Sequence, residues 1–198
     1  MLELTRKVII GIDLAGKPEN PSGLAVLVNR RVKTSLLYAN KQIIESIIKN
    51  SPALVAVDAP FNLPKREIFR KADKEMIKHG YRVFPPRLPS MEKLTLRAIK
   101  LNKLIERKGF KTIEVHPTSS CKALDMPLKK WRKIQTILIQ IGLGGDLNKR
   151  VLTPHEIDAV IAAFTAYLYM RNKTEAFGNE REGYIIIPKR QHWRKLEI

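Results

Sequence analysis

Two unbroken apolar runs with a helical stripe between them limit what this chain can fold into more than any other feature. Val8-Ile9-Ile10-Gly11-Ile12 and Leu54-Val55-Ala56-Val57 each read as a short strand buried on both faces. Between them, Ile43, Ile44, Ile47 and Ile48 fall at i, i+1, i+4 and i+5, one apolar stripe on a helix over 41–50 that Ser51-Pro52 stops. A helix joining two fully buried strands predicts a crossover into a parallel sheet. Each run also ends on an aspartate, Asp13 and Asp58.

The rest of the chain extends this frame. Residues 14–21 are rich in breakers and read as a turn. Residues 23–28 and 31–38 read as strands joined by a tight turn at Asn29-Arg30, which makes an antiparallel meander with the first strand. Beyond Asp58 the spacing predicts a helix over 66–79 ended by Gly80, a Pro-rich loop over 82–89, and a helix capped by Ser90 that runs to Lys108. Residues 112–115 read as a strand, 127–141 as a helix and 184–187 as a late strand. Thr153-Pro154-His155-Glu156 carries strong helix-start signals: Thr at the cap, Pro next and Glu three places on. The order predicts an α/β ribonuclease H-like mixed sheet, three antiparallel strands then parallel crossover strands, with a helical insertion. The actin-like kinases share that core. A flavodoxin-like parallel sheet is the rival, and the early hairpins argue against it. A length of 198 residues, 44% hydrophobic, suits a single domain over 1–198 with the basic helical insertion at 59–111.

Charge points to the partner. Lys and Arg number 37 against 19 Asp and Glu, a formal charge of +18. Between Lys65 and Lys111 there are 15 basic and 5 acidic residues, a net of +10, so the excess is concentrated in the insertion. Thermophile proteins also carry many charges, but with the two signs more nearly matched. A localised basic surface suits a phosphate backbone, so nucleic acid is the expected partner. The candidate contacts are Arg66, Arg70, Lys74, Arg82, Arg87, Arg97 and Lys100, with Phe84 able to stack on a base. The cations of the 90–108 helix also read as an ordinary solvated face. Cys121 is the only cysteine and rules out an internal disulfide or a thiolate zinc cluster; it reads as a small apolar filler. No long apolar run predicts a membrane span and no secretory signal precedes the first strand, so no membrane partner and a cytoplasmic location are expected.

Against that basic background four acids stand out. Asp13 and Asp58 close neighbouring strands. Glu114 lies in the next strand, and Asp158 in the first turns of the helix that begins near Pro154. In this topology the first and fourth strands are adjacent, so the four can gather at one sheet edge. Carboxylates in that arrangement hold Mg²⁺ or Mn²⁺ through oxygen ligands. Two ions about 4 Å apart can activate water and stabilise a leaving oxygen. His116, two residues from Glu114, and His155, three before Asp158, can orient water or contact phosphate. Each residue also has a structural reading. Asp13 and Asp58 suit turn or cap positions. Glu114 is not last in its strand. His116 reads equally as a strand end, and His155 as a capping residue.

Together these blocks resemble a known family. Gly11-Ile12-Asp13-Leu14-Ala15-Gly16, Val57-Asp58-Ala59-Pro60-Phe61-Asn62-Leu63-Pro64, Ile113-Glu114-Val115-His116-Pro117, His155-Glu156-Ile157-Asp158-Ala159 and Gly183-Tyr184-Ile185-Ile186-Ile187-Pro188 look like the signature of a domain-of-unknown-function family of predicted nucleases with a ribonuclease H-like fold. The resemblance covers nearly the whole chain. It implies a carboxylate site similar to that of Holliday-junction resolvases, which end with a His and an Asp one helical turn apart, and it allows a homodimer. Ala15 and Lys17 stand where actin-like kinases carry the Gly and the hydroxyl of their phosphate loop, which lowers the kinase reading. The leading expectation is a two-metal nuclease acting on DNA or RNA. The alternatives are a non-catalytic nucleic-acid-binding protein on the same fold and a small-molecule phosphotransferase or phosphatase.

Overall fold

The computed structural model describes residues 7–64 and 67–197. Along the chain the elements are β1 (Ile9–Asp13), β2 (Ser22–Val28), β3 (Arg31–Leu37), α1 (Asn40–Asn50), β4 (Leu54–Asp58), α2 (Lys71–Lys78), α3 (Pro89–Arg107), β5 (Thr112–Val115), α4 (Pro117–Ala123), α5 (Trp131–Gln140), β6 (Gly144–Gly145), α6 (Asp146–Lys149), α7 (Pro154–Tyr169), β7 (Thr174–Asn179) and β8 (Gly183–Pro188). They build one sheet in the order β6-β3-β2-β1-β4-β5-β8-β7. β1, β2 and β3 pair antiparallel. The tight turn between β2 and β3 puts Asn29 and Arg30 at φ 48° and 64°, the left-handed pair that a two-residue hairpin needs. β4 lies parallel to β1, β5 parallel to β4, and β8 parallel to β5, while β7 closes that edge antiparallel. Three meandering strands followed by parallel crossover strands is the ribonuclease H-like arrangement the element order predicts.

Apolar side chains that alternate along the strands face two helical layers. On one face Ile10, Ile12, Val55 and Val57 pack against Ile43 and Ile47 of α1 and Ala98, Leu101 and Ile105 of α3. The helical insertion therefore also serves the core, because α3 covers the sheet between β4 and β5. On the other face Ile9, Ala25, Leu27 and Ala56 pack against α7, whose small residues are buried nearly all round. α7 sits unusually close to the sheet. A Cβ placed on Gly11 would lie 2.1 Å from the Ala159 carbonyl oxygen, and one on Gly23 would lie 2.0 Å from that of His155. Glycine at those two positions lets the helix backbone rest on β1 and β2.

Some elements differ from their sequence expectation. The helix expected over 66–79 occupies Lys71–Lys78, because the Arg70 N–H donates to the Asp73 carboxylate and starts the first turn there. Ser90 is not a cap. Leu88 is, and Pro89 takes the first helical position, where its missing N–H costs nothing. The helix expected over 127–141 begins at Trp131, and Cys121 is buried in α4, a separate helix after Pro117. β7 was not expected. Only Phe177 of its six residues is buried, so it has no apolar alternation to reveal it. No helix among the described residues is long and apolar enough to cross a membrane.

Candidate active site at the carboxyl ends of the central strands

β1 and β4 end together. Asp13 and Asp58 are register partners at the last position of the parallel pair, so both carboxyl groups emerge at one sheet edge. α7 brings the third acid. Its cap is well made: the Glu156 N–H donates to Thr153 Oγ1, and the Glu156 carboxylate accepts from the Thr153 N–H at 3.0 Å. Buried Glu156 also accepts from Thr34 of β3 at 2.7 Å and pairs with Arg150. Burial would raise its pKa, but these donors overcome that and hold it at about 2. The start of α7 is thereby tied down over the meander. His155, in the first turn, places Nδ1 2.6 Å from Asp13 Oδ2. Asp158 follows three residues later, with the Trp131 indole of α5 opposing the rise in its pKa.

The electrostatics follow from this gathering. Burial raises Asp58 well above the ordinary carboxylate range, and the charges of Asp13, Asp158 and Glu114 raise it further. Asp158 is pushed up to about 7, first by burial and then by the charge of Asp13. Asp13 is raised by burial, with the His155 hydrogen bond and charge opposing. Such mutual perturbation means that the acids share one low-dielectric corner and repel one another there.

Glu114 is held differently. It sits beside Val57 in the β4–β5 register and is buried. Arg70 donates to both its oxygens, at 2.6 and 2.8 Å, and the Phe61 N–H donates to Oε2 at 2.8 Å. Its charge reaches Asp58, but its oxygens are occupied. His116 is the cap of α4: its Nδ1 accepts from the Ser119 N–H and lies 2.7 Å from Ser119 Oγ. Burial lowers its pKa to about 4, against the pull of Asp73. His116 is thus a helix cap where the sequence suggested a strand end, and His155, which shares a helix face with Asp158, contacts Asp13.

The cations divide into two sets. Arg70 is fully buried between Glu114 and Asp73, so no phosphate can reach it. Burial alone would lower its pKa, but those two carboxylates raise it. Arg97 is also buried, and its guanidinium donates to Asn40 Oδ1 at 2.9 Å, the Ala15 carbonyl at 2.6 Å and the Tyr38 carbonyl. Both expectations of a surface contact are thus corrected: each arginine is a staple inside the fold. Lys74, Arg82, Arg87 and Lys100 are exposed. Of these, Lys74 pairs with Glu67 and Arg87 donates to the Pro64 carbonyl at 2.8 Å. Arg66 lies outside the described residues. Sequence reasoning missed Trp131 and Asp73, since nothing local marks an indole or a helix-start acid as the partner of a distant charge.

Among the described residues no three of His, Cys, Asp and Glu are grouped so as to hold a metal ion. The donor chemistry of Asp13, Asp58 and Asp158 still suits a hard cation, since all three present carboxylate oxygens. In this arrangement Asp13 is drawn toward His155 instead.

Sheet order and helical layers define a ribonuclease H-like α/β protein with acids gathered where β1 and β4 end. Residues 11–183 match the family described as a protein of unknown function, DUF429, and the chain belongs to that family. No curated protein matches the sequence. Among solved structures, the chain is similar to Thermus thermophilus RuvC at 17% identity and a TM-score of 0.49, covering 83% of this chain and 96% of that one. It is also similar to T. thermophilus RuvC in complex with a Holliday junction substrate, at 19% identity and a TM-score of 0.48, covering 84% and 96%.

Proposed function

We propose that this protein is a metal-dependent nuclease that hydrolyses phosphodiester bonds in DNA or RNA. The observation that carries this reading is the Asp13–Asp58 register pair with Asp158 close enough to raise Asp58 and to be raised by Asp13. Carboxylates crowded in a half-buried corner repel one another, and a divalent cation is the partner that relieves the repulsion. Asp13, Asp58 and Asp158 would hold Mg²⁺ or Mn²⁺, with Glu114 left to brace Arg70 and the Phe61 backbone. When bound, the ion supplies positive charge that activates water and stabilises the leaving oxygen. His155 orients the Asp13 carboxylate and can hold a proton at Nδ1. Exposed Lys74, Arg82, Arg87 and Lys100 attract the nucleic-acid backbone. The test is cleavage of labelled single-stranded and structured DNAs and RNAs with Mg²⁺ or Mn²⁺. Cleavage that Asp13→Asn abolishes supports the proposal; no cleavage, or cleavage indifferent to that change, overturns it.

A second reading, a nucleic-acid-binding protein without turnover, is favoured by the lack of a metal-holding group among the described residues. It predicts salt-sensitive binding and no carboxylate-dependent heat when Mn²⁺ is titrated calorimetrically.

A further inference from the structure

A cleft of about 140 Å³ opens beside Asp58, and its apolar side has no part in the chemistry above. Val83 and Phe84 from the Pro-rich loop and Met91 and Leu94 from α3 form apolar walls. Phe84 is 68% exposed, so most of its ring stands free at this otherwise sheltered site. The polar groups in the lining are Asp58, His116, and the Arg70–Asp73–Glu114 cluster.

Those polar groups constrain the occupant. Asp58, Asp73 and Glu114 outnumber the single cation Arg70, so the cleft does not favour a phosphate. Arg70 is itself engaged by both of the other carboxylates of its cluster. His116 differs. Its Nδ1 accepts from a backbone N–H, so its proton sits on Nε2, and Nε2 has no hydrogen-bond partner among the described residues. The cleft thus offers one ring donor, apolar walls and an aromatic face. A flat neutral heterocycle with an acceptor at its edge satisfies all of these.

We propose that this cleft receives a single unpaired nucleobase of the substrate strand, stacked on Phe84 and hydrogen-bonded by His116 Nε2. The position beside Asp58 makes it the base next to the phosphate held at the acids, so the inference rests on the nuclease reading and adds a substrate class to it. The enzyme acts on single-stranded or locally unpaired positions, where a base can leave its stack at little cost. Bases that stack on aromatic rings are held without strong sequence preference.

The experiment has two arms. In the first, oligonucleotides with one abasic position, moved stepwise past the cleavage site, are compared with intact strands for kcat/KM. One position next to the scissile phosphate should lower kcat/KM by roughly tenfold or more, the scale of a lost base–aromatic stack. Phe84→Ala, a change at an exposed side chain, should produce a similar loss on intact strands and little more on that abasic one. In the second arm, metal-free protein is titrated with a strand carrying a fluorescent purine analogue. Wild type should change the fluorescence on binding, and Phe84→Ala should weaken that response. Cleavage that ignores both the abasic position and Phe84 overturns the base site and leaves the nuclease reading standing. Absence of cleavage with a Phe84-dependent fluorescence response overturns the nuclease reading and keeps the base site. Failure of both arms overturns both.

Discussion

Replacing Gly23, the cross-strand partner of Asp13 in β2, with alanine should disturb the acid cluster by pushing back the start of α7. The added Cβ would lie 2.0 Å from the His155 carbonyl oxygen, 2.5 Å from the His155 carbonyl carbon and 3.1 Å from the Glu156 nitrogen. All three are backbone atoms, so no side-chain rotation relieves the clash. Because carbon and oxygen resist approach closer than about 3 Å, the start of α7 must retreat from β2 by roughly 1 Å. His155 Nδ1 now stands 2.6 Å from Asp13 Oδ2. A retreat of that size stretches the contact beyond the usual limit of about 3.2 Å for a hydrogen bond. Overpacking of this kind costs about 1–3 kcal/mol, which in a chain of this length lowers Tm by roughly 2–12 °C. Displacing catalytic groups by about 1 Å can lower kcat by roughly 100-fold. Urea unfolding measures the first effect and metal-dependent cleavage the second. NMR of the His155 ring reports whether its contact with Asp13 has gone. Gly144→Ala is the control, since its Cβ would meet only Asn148 Oδ1, at 3.7 Å. Should Gly23→Ala match the control in stability, and leave the His155 ring signals as they are, the close approach of α7 would not be what places His155 at Asp13.

Three further outcomes are expected. Arg70→Met should destabilise the protein by about 3–5 kcal/mol in urea unfolding, because Glu114 and Asp73 lose their shared cation inside the fold; an effect under about 1 kcal/mol would contradict the role assigned to that triad. Thr153→Ala removes the side-chain acceptor for the Glu156 N–H and should cost about 1 kcal/mol, read as a lower urea midpoint at unchanged slope. For Asp158 the sign runs toward acid: its folded-state pKa of about 7 exceeds the ordinary 3.8, so the native state binds more protons between those values. Metal-free protein should lose stability as pH rises through that window, and Asp158→Asn should flatten the loss when Tm is scanned against pH; an unchanged slope would mean that Asp158 is not in the crowded corner.

Much of the architecture was legible because it depends on local pattern. Unbroken apolar runs mark β1 and β4 as doubly covered strands, the isoleucine stripe marks α1, and Thr153-Pro154 marks the start of α7. Elements with weaker patterns escaped. β7 has one buried side chain in six residues and is held by pairing with β8. α2 starts late because a buried carboxylate from its own third residue caps it. Arg70 and Arg97 read as surface cations, since a helical charge pattern does not say which charge points inward; their partners come from β5, the loop after β1 and the end of β3.

The order of β1 to β5 and the aspartates that end β1 and β4 were written in the sequence, and that was enough to bring Asp13 and Asp58 to one edge. Local chemistry decides those features: alternation, helix periodicity and strand-ending residues act within a few positions. What the acids do once they meet depends on atoms far apart in the chain. Only the packed structure pairs His155 with Asp13 and brings Trp131 near Asp158. Only packing commits Glu114 to Arg70 and rests α7 on Gly11 and Gly23. Burial makes those contacts matter, because charges taken out of water must find partners or shift their protonation, and the partners available are set by how the layers close.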